Sequence, residues 1–178
     1  MLRCVSRPGV VVAGILALLA GGFLIVGILL PGTVEVTRSV DIDAPPEAVF
    51  PLVNDLEAWT EWTPWGDLES ELEGPAAGVG ARRVWEDAAM GSGTLTLVVS
   101  RPSFEVGYEV EVEDGAIRFE GTISIQERSR GSLVSWTERV ELGWNPLLGW
   151  TALTMDESQG LQLQESLERL KERAESGG

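Results

Sequence analysis

Chemistry has few carriers in this chain. The sequence contains no histidine, and Cys4, Lys171 and Tyr108 are its one cysteine, one lysine and one tyrosine. Zinc sites built on His and Cys, Ser-His-Asp systems and Cys-His nucleophiles therefore lack their parts. An internal disulfide cannot form, and no GxxxxGK[ST] or dinucleotide-type glycine run follows a strand. No cofactor or metal is expected, and acid-base work falls to carboxylates, Tyr108 or water. One carboxylate stands apart. In SLVSWTERVELG (132–143), Val134, Trp136, Val140 and Leu142 alternate, and Glu138 shares their parity. On that apolar face an unpaired carboxylate costs several kcal/mol, so Glu138 has to be paired, protonated or turned to a wet cavity. Arg83, on another strand at the parity of Trp85, is a candidate partner. A β-bulge near 138, or a position close to the sheet end, would instead turn the carboxylate outward.

The elements that position these residues follow from periodicity. TVEVTRSVDIDA (33–44) reads as a first strand with Val34, Val36, Val40 and Ile42 apolar. Pro45 suits the first helical position because its missing N–H has no partner there anyway, and Glu47 sits near the positive end. Val49, Phe50, Leu52 and Val53 give that short helix its apolar side. Asp55 can cap a second short helix carrying Leu56, Trp59 and Trp62, with Thr63-Pro64 as its stop. Six alternating runs follow with no helix between them: 68–74, 81–87, 91–102, 104–114, 116–127 and 132–143. In the fourth, Phe104, Val106, Tyr108, Val110 and Val112 share one parity, and Glu105, Glu109, Glu111 and Glu113 the other. In the fifth, Ile117, Phe119, Ile123 and Ile125 share a face. From Asn145-Pro146 the period becomes helical, with Leu163, Leu167, Leu170 and Ala174 on one stripe.

The N-terminus is different in kind. Residues 9–30, GVVVAGILALLAGGFLIVGILL, carry no charge. As a helix they extend roughly 33 Å, against a hydrocarbon core of about 30 Å. An uncleaved transmembrane anchor is the favoured reading over a cleaved signal, whose apolar part would be shorter and followed by a polar A-x-A site. Arg3 and Arg7 precede the span and only Arg38 closely follows it, so the positive-inside rule puts residues 1–8 in the cytoplasm and the domain on the outer side of the cell membrane. Residues 31–33 read as a linker, 34–173 as the domain and 174–178 as a disordered tail. Of 13 basic residues only Arg3 and Arg7 precede position 30, leaving 11 against 28 acidic ones, a net −17. Such a surface repels nucleic acid and anionic headgroups, so no nucleic-acid partner is expected.

Consecutive hairpin-linked strands twist and curl, and their concave apolar face has to be covered. The last helix is the element long enough to cover it. The expected fold is therefore α+β: a curved antiparallel seven-stranded sheet wrapped around a long C-terminal helix, the helix-grip arrangement, with two short helices after strand 1 and a separate N-terminal transmembrane helix. SVDIDAPPEAVFPLVNDLEAWTEWTPW, GPAAGVGARRVWED, GSGTLTLVVSRP, VSWTERVEL and the terminal MDESQGLQLQESLERLKE also resemble the START-like helix-grip superfamily (SRPBCC), in its polyketide cyclase/dehydrase-like branch, over about residues 34–173. The resemblance implies a deep cavity for a hydrophobic or amphipathic molecule. It implies no single activity, because carriers and cyclases share the fold, and it transfers no catalytic residue.

Trp59 and Trp62 lie near one side of a short helix, where an aromatic stripe is more often core than ligand contact, and Trp65 is placed to plug the region between the helices and the second strand. The inward-facing candidates for ligand binding are Arg83, Trp85, Leu97, Tyr108, Phe119, Trp136 and Glu138 from strands, with Met155 and Leu163 from the helix. Three functions stay open: a membrane-tethered binder of a hydrophobic or lipid-like small molecule, a cyclase or dehydratase using Glu138 or Tyr108, and a filled, non-catalytic envelope interaction domain.

Overall fold

A computed structural model of the protein describes residues 8–30, 32–88, 91–115, 117–141 and 146–177, without the side chains of 8, 10, 67, 148, 149 and 151–155. Arg3, Cys4, Arg7, Pro31, Leu142 and Asn145, and the side chain of Met155, lie outside that description. Helix α1 (Pro8–Leu29) is the apolar N-terminal segment, and 6% of its most apolar window is buried. Strand β1 (Thr33–Ile42) leads into α2 (Pro46–Asn54), whose first helical residue is Pro46, with Pro45 extended at the N-cap rather than in the first helical position. Then come β2 (Ser70–Glu73), β3 (Arg82–Asp87), β4 (Gly91–Arg101), β5 (Glu105–Val112), β6 (Ile117–Arg128), β7 (Gly131–Glu141) and α3 (Pro146–Ser176). Every expected strand is present.

The segment after α2 departs from the expected helix. It forms two 3-10 turns, Ala58–Glu61 and Pro64–Asp67. Pro64 starts the second turn rather than only ending the first, because the Thr63 hydroxyl accepts from the Trp65 N–H at 3.2 Å and caps it. Asp55 does not open a second helix; it is the residue that ends α2. Its carboxylate accepts from the Glu57 N–H at 2.9 Å, a local turn.

All neighbouring strands pair antiparallel in the order β1-β7-β6-β5-β4-β3-β2. The one register shift falls between Leu97 and Val99 on β4, so β7 runs straight through Glu138 without a bulge. The alternation expected from sequence holds in burial: Val134, Trp136, Glu138 and Val140 are all buried. Phe104 is the exception on β5, at 53% exposed, because it sits in the turn before the strand begins. Leu163, Leu167, Leu170 and Ala174 of α3 are buried with Trp59, Trp62, Ile123 and Ile125. The core thus lies between the sheet's concave face, α3 and the short elements after β1. At the far end α3 is fastened by the Arg173–Glu61 ion pair and by the Glu175 carboxylate, which accepts from the Asp43 N–H at 2.8 Å. At its near end Trp150 stacks on Phe23 of α1 with centroids 4.7 Å apart and donates to the Phe23 carbonyl at 3.2 Å.

Candidate functional site

The register places three residues of one row side by side. Glu138 of β7 pairs with Gly121 of β6, which pairs with Tyr108 of β5. Gly121 has no side chain, so the Tyr108 ring lies over it, and a Cβ there would fall inside the ring. The phenol thereby reaches across a whole strand and donates to the Glu138 carboxylate. Trp136 Nε1 donates to the Tyr108 oxygen at 2.9 Å. From α3, Gln159 Nε2 donates to the other carboxylate oxygen at 2.6 Å. Glu138 is therefore paired, but by two neutral donors, from β5 and α3, rather than by Arg83.

The same device recurs one end further along. Trp85 of β3 pairs with Gly93 of β4, Gly93 with Val112 of β5, and Val112 with Ile117 of β6. The Trp85 ring lies over Gly93, where a Cβ would meet its six-membered ring. Two glycines thus make room for the two rings that form the floor of the concave face here. Above that floor is a cavity of about 340 Å³. Of the candidates named from sequence, Trp85, Tyr108, Phe119, Trp136, Glu138 and Leu163 line it. Trp65 closes one side, its ring 5.0 Å from Trp85 on β3, together with Thr63 and Pro64.

Two candidates lie elsewhere. Leu97 is fully buried core and does not line the cavity. Arg83 does not line it either: its guanidinium donates to Ser70 Oγ at 2.6 Å and to the Leu56 carbonyl, tying β2 and the lid segment to β3. Burial pulls its pKa down, and the nearby Glu57 charge opposes that shift. Gln159 and Gln162 were missed. The signal for Gln159 was present, since 159, 163 and 167 fall on one helical stripe, where an amide among leucines asks for a partner.

Electrostatically the site is a carboxylate in low dielectric. Burial pushes the Glu138 carboxyl up, and the hydrogen bonds from Tyr108 and Gln159 pull partly back. Burial, with the Glu138 charge beside it, pushes Tyr108 well up, so the phenol stays protonated and donates. Because the folded pKa of Glu138 lies above its unfolded value, the native state binds more protons than the unfolded one between the two. Stability from this group therefore falls as pH rises through that window. Glu138→Gln removes the titration. Urea unfolding of both proteins across the acidic range is expected to show the variant gaining on the wild type as pH rises, and a pH-independent difference would contradict this.

In chemical terms the site offers an apolar, aromatic hollow with one oriented carboxylate. Two of its lone-pair positions are taken, leaving about two for a guest. Among the described residues no group of His, Cys, Asp and Glu is arranged to hold a metal ion.

Known structures share this architecture. A protein from Chromobacterium violaceum superposes with a TM-score of 0.57 at 23% identity, covering 82% of this chain and 99% of that one. The KanY protein, solved in solution, gives 0.61 at 17%, covering 82% and 99%. The di-domain ARO/CYC StfQ of the steffimycin biosynthetic pathway gives 0.62 at 10%, covering 81% of this chain and 51% of that one. At these identities the likeness speaks for the fold. No protein of curated function matches by sequence. A family profile described as polyketide cyclase / dehydrase and lipid transport spans residues 33–175, from the first residue of β1 to the last turn of α3. With the sheet, the gripped helix and the hollow between them all inside that span, the chain belongs to the polyketide cyclase / dehydrase and lipid transport family.

Proposed function

We propose that this protein is a membrane-tethered binding module that holds a hydrophobic or lipid-like small molecule between its curved sheet and α3. The observation that carries this is the cavity itself, about 340 Å³ in size and walled mainly by aromatic and aliphatic side chains around one carboxylate. Pockets of this composition hold small ligands, with a few polar groups fixing orientation. In this reading Trp85, Phe119, Trp136 and Leu163 hold the apolar body, while Glu138 and Tyr108 orient the polar end.

The tether is α1, 22 residues of uninterrupted apolar helix, long enough to cross a bilayer. One continuous row of strand partners, Thr33–Glu141–Arg118–Glu111–Thr94–Val84–Glu71, marks the sheet end at which the chain leaves α1. The cavity residues Val110, Val112, Ile117 and Phe119 flank that row. A guest would thus sit at the end of the domain next to the anchor. The domain is placed outside the cell membrane with residues 1–8 in the cytoplasm; protease added to intact cells should digest it, and full protection would reverse that orientation.

Solvent extraction of the full chain, purified from its own host in a non-ionic detergent, is expected to release one dominant hydrophobic small molecule. Extracts identical to those of the detergent alone would count against the binding role. The Tyr108–Glu138 pair also favours a second reading: a phenol and a carboxyl whose pKa is raised, in contact inside a mainly apolar cavity, are suited to general acid-base work in a cyclase or dehydratase. Conversion of the extracted molecule by the protein would establish it.

A further inference from the structure

We propose that the guest of this cavity is an amphipathic cation, an apolar body ending in an amine or quaternary ammonium group that seats against Glu138. This rests on the binding role above and names the ligand class. Among the described residues that line the cavity no Lys or Arg is present, and the one acidic side chain is Glu138, 8% exposed. The rings of Trp65, Trp85, Tyr108, Phe119 and Trp136 line the same cavity, with Tyr108 in contact with the carboxylate. Aromatic faces carry negative potential and attract cations within about 6 Å of a ring centroid, quaternary ammonium groups among them. The hydrogen bonds to Glu138 come from neutral donors, Tyr108 and Gln159, so its charge is oriented but not neutralised. An ionised carboxylate in such surroundings is costly without a counter-ion, and the two arginines that share its face of the sheet are committed elsewhere, Arg38 to Asp156 and Arg83 to Ser70 and Leu56.

The field around the cavity has the same sign. Beyond position 30 the chain carries 28 acidic residues against 11 basic ones. A surface of one sign raises the local concentration of the opposite charge and repels its own. An anionic amphiphile such as a fatty acid would meet repulsion from that surface and again at Glu138. A cationic one would be favoured by both.

The test uses the full chain in a non-ionic detergent at moderate salt, with three dansyl amides that differ only in their end group: trimethylammonium, hydroxyl or carboxylate. Dansyl emission excited through the tryptophans reports binding. The ammonium probe is expected to bind at least about tenfold tighter than the hydroxyl probe, with the carboxylate probe weakest. Glu138→Gln is expected to bring the ammonium-to-hydroxyl ratio to within about twofold of one. Phe119→Leu, which breaks no hydrogen bond, should lower that ratio about threefold, giving a second reading should Glu138→Gln fold poorly. An ammonium probe that binds no tighter than the hydroxyl probe, or a preference that survives both substitutions, overturns the cation assignment while leaving the binding role standing. Saturable binding by none of the three overturns both.

Discussion

Replacing Trp59 with alanine is expected to remove about 3–5 kcal/mol of stability. Trp59 is 1% exposed, its Nε1 donates to the Val53 carbonyl at 2.9 Å, and its ring meets Trp62, Tyr108 and Trp136 with centroids 5.3, 5.2 and 6.1 Å away. The backbone around it offers little support, because a four-residue 3-10 turn makes few hydrogen bonds of its own. Trp62 repeats the arrangement, donating to the Leu52 carbonyl at 3.0 Å. The two indoles thus fasten the lid segment to the end of α2 and to the core at once. Against a typical total of about 5–15 kcal/mol for a domain, the loss is large. Trp59→Phe keeps the ring but orphans the Val53 carbonyl, and should cost about 1–3 kcal/mol. Urea unfolding followed by circular dichroism measures both, and a loss below about 1 kcal/mol for the alanine variant would show that the lid is not part of the core.

Gly121→Ala should be of similar severity for a different reason. Nothing is removed. A methyl group is placed where the Tyr108 ring now lies, and β6 is an interior strand, paired on both sides, that cannot retreat. The ring has to leave, and with it go the phenol's bond to Glu138 and the Trp136 bond to the phenol. Overpacking and the lost hydrogen bonds at a buried carboxylate together cost about 2–5 kcal/mol. The double variant with Tyr108→Val tests the cause, since removing the ring removes the clash. Its destabilisation is expected to fall well short of the sum of the two single effects. Simple additivity would mean that Gly121 matters for another reason.

These two residues also show what could and could not be read from the chain. Period-2 alternation marked every strand and put Glu138 between Trp136 and Val140 on the buried face, because parity is a local property of a pleated strand. The partners of Glu138 were less legible. Tyr108 lies 30 residues away and Gln159 21, and choosing them over Arg83 required the register, which sequence pattern alone left open. Gly121 and Gly93 drew no reading from the sequence, where a glycine inside a strand signals only weakness or a close approach. Only the pairing reveals that each makes room for a large ring. The 3-10 turns after α2 escaped because Trp59 and Trp62, three apart, fit either helix type. Met155 was named from the helical stripe, and its side chain lies outside the described residues.

The binding role depends on a guest occupying the space between β5, β6 and α3. Val112 lines that space and is only partly buried, so Val112→Phe can fill it with little strain elsewhere. Titration of the full chain with a fluorescent hydrophobic probe should give saturable one-to-one binding, weakened about tenfold or more in the filled variant, whose circular dichroism should match the wild type. Equal affinity in the two proteins would place the probe outside the cavity and contradict the account.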